Sequence, residues 1–144
     1  MKRIATFYID GCLFGLDTSF VNDILAVPPL VAIPQNTSQF FNRIMRLKDT
    51  RVIHVVNTEK LLGLSNKPVS EDSRMLVLRS DGPGMGLLAD SVGSLLDVAE
   101  DTVGEALPLS TIKREFLAGI VTDAEKVIVL LNAEKIVQTL EPSS

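Results

Sequence analysis

The feature that most constrains this chain is an internal repeat. Residues 51–62 (RVIHVVNTEKLL) and 126–137 (KVIVLLNAEKIV) align without a gap at an offset of 75 residues, with five of twelve positions identical. In each copy an apolar run typical of a buried strand leads into an asparagine, Asn57 or Asn132, which can cap the first turn of a helix. A glutamate two positions later would lie near the positive end of that helix. The repeat predicts two similar lobes, each with a strand followed by a short helix.

Two predicted hairpins support this division. Residues 4–16 contain apolar runs on either side of Asp10-Gly11, a strong signal for a tight two-residue turn. A second hairpin is predicted over residues 74–89, with its turn at 80–84. The other predicted strands are 30–33, 51–56, 116–121 and 127–131.

The segment after the first hairpin is predicted to be a short helix. Residues 17–19 (DTS) are helix-capping types, and apolar residues follow at helical spacing at Phe20, Val21, Ile24 and Leu25. Pro28-Pro29 would end this helix, while residues 40–47 remain ambiguous.

Short strands, frequent turns and small helices favour a mainly β fold of two small barrels packed together. We expect one domain over residues 1–144, with lobes at about 12–70 and 71–140, a polar linker at 65–73 and an exchange of strands at the N-terminus. Neither lobe is long enough to bury a large core alone. We therefore expect the lobes to share a core, and an apolar groove to remain between them.

Composition narrows the function classes. With 144 residues, 46% of them hydrophobic, the chain can bury a substantial core and is too apolar to be disordered. The net charge is −4 and no lysine-arginine run occurs, so nucleic-acid binding is not expected. No stretch approaches the roughly 20 apolar residues of a membrane span, so no membrane insertion is expected. The single cysteine, Cys12, fits a reducing compartment and predicts a cytoplasmic protein.

Candidates for catalytic or metal-binding residues are few. The single histidine, His54, shares an apolar strand face with Val52 and Val56, and its counterpart in the repeat is Val129, which favours a structural role. Cys12 has no adjacent basic residue in the sequence to activate its thiol. We predict a binding protein with no catalytic residues, cofactor or metal. The alternative, a small enzyme, would use His54 with Cys12 or a carboxylate.

Two other segments have plain interpretations. The glycine-rich residues 82–86 indicate a turn and not a phosphate-binding loop, because a strand follows them. The densest acidic group is predicted to be a solvated surface, with a charge-complementary docking site as the alternative; its members are Asp97, Glu100, Asp101 and Glu105.

Several motifs, in this order and spacing, resemble the CheW family of chemotaxis coupling proteins. The opening FYIDGCLFGLDTSFVNDIL is similar to the family's strand, turn and strand ending in Leu-Asp, with a Val-x-Glu-Ile segment that reads VNDI at 21–24. Residues 86–92 (GLLADSV) resemble its Gly-hydrophobic-hydrophobic-Val-Asp-x-Val segment, and residues 117–119 its Ile-x-Gly. The resemblance covers nearly the whole chain and implies two small five-stranded SH3-like barrels around a shared hydrophobic interface, with short helices including a C-terminal one.

The middle of the chain departs from the family pattern. RIMRLKDT replaces a Gly-x-x-Asn-Leu-Arg-Gly stretch, and His54 and Asn57 replace the proline and aspartate of a Pro-Val-x-Asp-Leu motif. The family's arginine corresponds to Arg46 if a short insertion precedes the strand, and to Asp49 in a gapless alignment. Arg46 is the preferred match; Asp49 would reverse the charge at a position that the family uses for partner contacts.

The resemblance implies a non-catalytic adaptor that couples the regulatory domain of a CheA-type histidine kinase to the cytoplasmic tip of chemoreceptors. The alternative is a divergent CheW-like module that binds a kinase or scaffold in another pathway without receptor coupling. A coupling role also implies a cytoplasmic protein recruited to membrane receptor arrays. Asp23 would face the kinase and the other residues would line a receptor groove; the partner-binding positions carried over are Val21, Asp23, Arg46, Gly86, Val92 and Leu95.

Overall fold

The computed structural model describes residues 1–33, 40–47, 51–79, 84–99, 112 and 114–140. These residues form eleven strands, two α-helices and single turns of 3-10 helix at Thr18–Phe20 and Arg114–Phe116. The strands and helices are β1 (Lys2–Ile9), β2 (Cys12–Asp17), β3 (Val21–Ala26), β4 (Val31–Ala32), β5 (Phe41–Arg46), β6 (Val52–Val56), α1 (Thr58–Leu62), β7 (Arg74–Leu78), β8 (Gly84–Ala89), β9 (Ser91–Val98), β10 (Leu117–Asp123), β11 (Lys126–Leu131) and α2 (Ala133–Leu140). Within the described ranges, no helix has the length and apolar character needed to cross a membrane.

One sheet has five strands in the order β10-β11-β2-β1-β9. All neighbours are antiparallel except β11 and β2, which run parallel. The predicted first hairpin is confirmed, because β1 and β2 pair as far as Ile9 opposite Cys12. Asp10 and Gly11 between them have φ angles of +50° and +79°. A tight hairpin turn requires positive φ at such positions, and aspartate and glycine tolerate it well.

The other sheet has six strands in the order β3-β7-β8-β6-β5-β4, with β6 and β8 parallel and the other neighbours antiparallel. This lobe therefore has six strands where five were expected, because the two-residue strand β4 adds to its edge. Without β4, the two sheets have the same pattern of strand pairing. Read from β10 in one sheet and from β5 in the other, successive neighbours are antiparallel, parallel, antiparallel and antiparallel. The mainly β, two-lobed fold that the sequence predicts is confirmed.

The two halves of the chain exchange hairpins. β1 and β2 lie in the five-stranded sheet with β9, β10 and β11, whereas β7 and β8 lie in the six-stranded sheet with β3 to β6. The strands are therefore not divided at the expected lobe limits of 12–70 and 71–140: β2 pairs with C-terminal strands, and β7 with an N-terminal one. Each lobe needs strands from both halves, so neither half can complete its own sheet.

The repeat is confirmed as a duplicated strand and helix, β6 with α1 and β11 with α2. The side-chain oxygen of Asn57 accepts a hydrogen bond from the backbone N–H of Glu59 at 3.1 Å. The side-chain oxygen of Asn132 accepts one from the backbone N–H of Lys135 at 3.0 Å. Both asparagines therefore satisfy a backbone donor that the first turn of a helix leaves unpaired.

The largest hydrophobic cluster, here called the central core, takes side chains from both sheets and both helices. Phe7 and Phe14 stack within it, with ring centroids 5.9 Å apart, and Leu61 of α1 and Ile136 of α2 are buried there too. Each lobe has a smaller cluster of its own, around Met75 in the six-stranded lobe and around Ile4, Ile128 and Leu130 in the five-stranded lobe. Since one cluster serves both lobes, we expect them to fold as a unit.

The prediction of a helix after Asp17 is wrong beyond the first turn. The Asp17 carboxylate does cap, accepting from the backbone N–H of Ser19 at 3.0 Å, but one 3-10 turn follows and the chain then enters β3. Pairing of β3 with β7 overrides the helical spacing. The ambiguous segment forms β5, and β9 matches no predicted element. The predicted turn at 80–84 lies outside the described residues except for Gly84, which begins β8. Four other predicted positions also lie outside them: Asp49, Glu100, Asp101 and Glu105.

Candidate partner-binding site

The strands at two sheet edges, β3 and β9, carry exposed apolar side chains. On β9, Val92 is 40% exposed and Leu95 is 58% exposed. On β3, Ile24 is 42% exposed, while Val21 is half-buried against the central core. Large apolar groups on an edge strand favour association, because a partner can remove them from water and pair with the free strand edge.

These two edges are structurally equivalent. Ile24 of β3 pairs with Leu76 of β7, and Leu95 of β9 pairs with Ala5 of β1. Ile24 and Leu95 are 71 residues apart in the sequence, and so are their pairing partners Ala5 and Leu76. The same offset relates Val21 of β3 to Val92 of β9. On each strand a β-bulge lies between the valine and the larger apolar residue, Ile24 or Leu95. Sequence reasoning missed Ile24 as a surface residue because it placed this residue on the apolar face of a predicted helix, whereas Ile24 lies on β3.

Asp23 and Arg46 line a second feature, a cleft of about 420 Å³ here called the β3–β5 cleft, together with Leu25, Pro28 and Leu47. Leu25 and Leu47 also pack against the core of the six-stranded lobe. β3 and β5 are not neighbours in the sheet order, so the sheet must curl to bring them to one cleft. Both charged side chains are exposed, and the described structure records no ion pair between them. An apolar floor between opposite charges suits the side chain of a protein partner.

Gly86 lies inside the six-stranded lobe. A Cβ atom at this position would be 2.8 Å from Met75 Sδ and 3.0 Å from Ile53 Cγ2, so close packing explains the glycine. The six residues selected from the sequence thus occupy three environments. Asp23 and Arg46 share the β3–β5 cleft. Val92 and Leu95 lie on the edge strand β9, next to β1 of the five-stranded lobe. Val21 is half-buried and Gly86 is buried.

The two residues considered for catalysis lie on strands of different sheets, His54 on β6 and Cys12 on β2. The His54 ring is half-buried edge-on against Phe41, with centroids 5.7 Å apart, and its buried Nδ1 has no hydrogen-bond partner. Cys12 is exposed. In the part of the chain that the structure describes, no three His, Cys, Asp or Glu side chains are grouped as metal ligands would be.

The model of the CheW-like domain family matches residues 3–141, nearly the full chain. The chain belongs to the CheW-like family. Among solved structures, it is similar to the scaffolding protein TtCheW from Thermoanaerobacter tengcongensis, at 27% sequence identity and a TM-score of 0.79. That match covers 91% of this chain and 84% of the other. No curated protein matches. CheW-like proteins are non-catalytic scaffolds of chemotaxis, and the SH3-like, β-rich fold described above is theirs.

One departure from the CheW-like sequence pattern preserves the local structure. Asn57, in place of the family's aspartate, still caps α1, and asparagine and aspartate are about equally good at this position. Arg46 is exposed at the end of β5, opposite Val52 of β6. It is therefore available to a partner, while the competing position, Asp49, lies outside the described residues.

Proposed function

We propose that this CheW-like protein couples the regulatory domain of a CheA-type histidine kinase to the cytoplasmic tips of chemoreceptors. The supporting observation is the presence of two equivalent apolar edges, β3 and β9, on different sheets of one family domain. A coupling protein must hold two partners at once. Two separate surfaces joined by a common core meet that requirement, because binding at one leaves the other free.

The β9 edge, with Val92 and Leu95, is our assignment for the receptor. Receptor tips of this class are helical, and an amphipathic helix can place apolar side chains from successive turns against exposed apolar groups. Val21, Arg46 and Gly86 belong to the six-stranded lobe, and the family pattern alone assigns them to the receptor. Arg46 shares the β3–β5 cleft with Asp23. Asp23 is assigned to the kinase. Contacts of this modest extent are reversible, as signalling requires.

Binding measurements on single-residue variants test the receptor assignment. Leu95→Asp places a charge where an apolar anchor is expected, so we expect receptor-fragment affinity to fall at least about tenfold. Val127→Asp is the matched control, because Val127 is 55% exposed on β11 and lies outside both proposed edges. Equal affinity for the Leu95 variant and the control would contradict the β9 assignment.

The kinase assignment is tested in the same way with charge reversal. Asp23→Lys should weaken binding to the regulatory domain and reduce its association rate, since rim charges act mainly on encounter. Asp72→Lys makes the same change at an exposed aspartate between α1 and β7. Both elements belong to the six-stranded lobe, so residues 65–73 do not link the two lobes as the sequence predicted. An equal effect of both variants would indicate a general charge effect and not a kinase contact at Asp23.

A divergent module that binds a kinase or scaffold without receptors is the second candidate. Its support is the replacement of the family's glycine-flanked arginine stretch by RIMRLKDT, which ends in residues of the β5–β6 connection. Binding to the regulatory domain together with no binding to any tested receptor fragment would select this candidate. Binding to neither, by a folded protein, would contradict both.

A further inference from the structure

The six-stranded lobe contains a polar pocket that shares no lining residue with the β3–β5 cleft. The pocket has a volume of about 330 Å³ and lies where β5 meets the start of α1 and the linker to β7. We call it the β5 pocket. Its charged and amide side chains are Asn42, Arg43, Asn57, Glu59, Asn66 and Lys67.

Most of these polar groups have internal partners. The Asn57 oxygen caps α1, Glu59 accepts from Ser65 Oγ at 2.5 Å, and the Asn66 amide donates to the Leu88 carbonyl at 2.9 Å. Groups left over from such a network need a partner from outside the chain, either a water molecule or a ligand, so the exceptions are informative.

Asn42 and Arg43 are the exceptions. Asn42 Oδ1 and Arg43 Nε are buried atoms without a hydrogen-bond partner. The described part of the chain contains no ion pair for Arg43, and burial lowers the pKa of its guanidinium. A buried N–H of a cation that is left unpaired destabilises a protein unless something else binds it.

The other lobe shows that the fold does not need these two side chains. β5 has a β-bulge between Phe41 and Arg43, and β10 has the same bulge between Leu117 and Gly119. At the positions of Asn42 and Arg43, β10 therefore has Ala118 and Gly119. Its corresponding cavity, of about 370 Å³, is also lined by an asparagine and a glutamate from the strand-helix junction. The same backbone thus forms with small residues in one lobe and with an unpaired arginine in the other.

We propose that the β5 pocket binds a small organic molecule through a carboxylate, with the Arg43 guanidinium as the principal donor. A guanidinium presents Nε and a terminal nitrogen side by side, which matches the two oxygens of a carboxylate. Arg43 and Lys67 against Glu59 give the wall a net charge of one positive unit, which favours a singly charged carboxylate over a dianionic phosphate. The Asn42 amide can turn to offer either its oxygen or its NH₂ to the rest of the molecule. The volume is at the lower end of that of small-molecule sites. This site is independent of the proposed adaptor function.

Side-chain NMR of the full chain tests the site directly. The probe is sodium propionate, titrated against sodium chloride at equal ionic strength, with the Arg43 Nε–H resonance as the readout. We expect a saturable shift of that resonance with propionate, and weaker binding of inorganic phosphate. The absence of a saturable shift, or a shift with phosphate alone, would overturn the proposal.

Two arginine variants separate a specific site from a loss of charge. Arg43→Gln should weaken propionate binding at least about tenfold, as expected for the loss of a hydrogen bond to a charged group. Arg79→Gln removes the same charge from an exposed position at the end of β7 and should leave binding unchanged. If both variants bind equally well, Arg43 does not hold the ligand.

Unfolding measurements distinguish a ligand-binding arginine from a structural one. Because Arg43 Nε has no hydrogen-bond partner among the described residues, Arg43→Gln without ligand should unfold at the same or a higher denaturant concentration than the original chain. Arg43→Lys retains the charge without the forked donor pair, and should fold and bind propionate weakly. A large loss of stability in both variants would assign Arg43 to the fold and contradict the proposal.

Discussion

The two strand-helix junctions have the same backbone contacts and different side chains around them. The backbone N–H of Asn57 donates to the Phe40 carbonyl at 2.7 Å, and that of Asn132 donates to the Phe116 carbonyl at 2.8 Å. Yet α1 ends after five residues at Gly63, whose φ is +72°, whereas α2 continues for eight. The asparagine and the buried strand therefore specify the junction, while the length and surroundings of the helix are free to vary.

The edges β3 and β9 show the same division. Their apolar positions correspond, but β3 carries Asp23 beside the β3–β5 cleft, whereas β9 pairs Asp97 with Arg3 at 3.1 Å. One framework is thus used twice, and its two copies differ at the surface, where partners would distinguish them.

The central core is the one region that the two copies share, so its disruption should have the largest effect. Phe7→Ala removes a fully buried ring from this cluster and should lower the free energy of unfolding by about 3–5 kcal/mol. Tyr8 fluorescence and the Met75 methyl NMR signal report on the five- and six-stranded lobes respectively. We expect one urea transition for both probes; separate transitions would show that the lobes are independent.

Matched glycines in β2 and β8 should differ in their tolerance of a methyl group. A Cβ at Gly15 would be 2.6 Å from Ile4 Cγ2 and 2.9 Å from Leu130 Cδ2, whereas at Gly86 the nearest atom is Met75 Sδ at 2.8 Å. Methionine adjusts more easily than β-branched isoleucine. We expect Gly15→Ala to cost about 2–3 kcal/mol and Gly86→Ala about 1 kcal/mol in denaturant unfolding. The reverse order would contradict the packing described for the two lobes.

The two helix caps should be of equal value. Asn57→Ala and Asn132→Ala each remove the side-chain acceptor of a first helical turn, and each should lower stability by about 1 kcal/mol. The double variant should show the sum, as expected for independent sites. Asn57→Asp, which restores the aspartate of the CheW pattern, is the control and should be close to neutral. Unequal single effects would mean that only one asparagine acts as a cap.

The smallest effect is expected at the ion pair between Arg3 and Asp97, whose side chains are 61% and 53% exposed. The residue equivalent to Arg3 in the other lobe is Arg74, which donates instead to the Glu71 and Ser73 carbonyls at 2.7 Å. Asp97→Ala should therefore cost less than about 0.5 kcal/mol, and less still in high salt. A larger cost in thermal unfolding would show that the two lobes are stabilised differently.

The duplicated strand-helix unit could be predicted from the sequence because its determinants are local: an apolar run, then Asn57 or Asn132. The hairpin at Asp10-Gly11 could be predicted for the same reason. β3 could not, since Asp17 begins a helical turn and only the distant pairing with β7 makes the next residues extended. An exchange of strands was expected at the N-terminus only. The placement of β7 and β8 in the sheet of β3 to β6 depends on pairing between distant segments, which no local pattern contains.

The candidate site could be predicted from the sequence only in part, for similar reasons. Family motifs pointed to Asp23 and Arg46, which do line one cleft. They did not indicate that Gly86 is buried or that Ile24 corresponds to Leu95. No sequence motif indicated a role for Arg43. It stands out only when the β-bulges of β5 and β10 are compared. Asn42 and Arg43 of β5 are then equivalent to Ala118 and Gly119 of β10.

Simultaneous binding of both partners is the most direct test of the coupling function. The measurement is co-sedimentation of a CheA-type regulatory domain with a receptor cytoplasmic fragment, as a function of the concentration of this protein. We expect the kinase domain in the pellet to rise and saturate with added protein, and Leu95→Asp to abolish the rise while binding to the kinase domain persists. A pellet whose kinase content does not change, or partners that exclude each other, would contradict coupling by this chain.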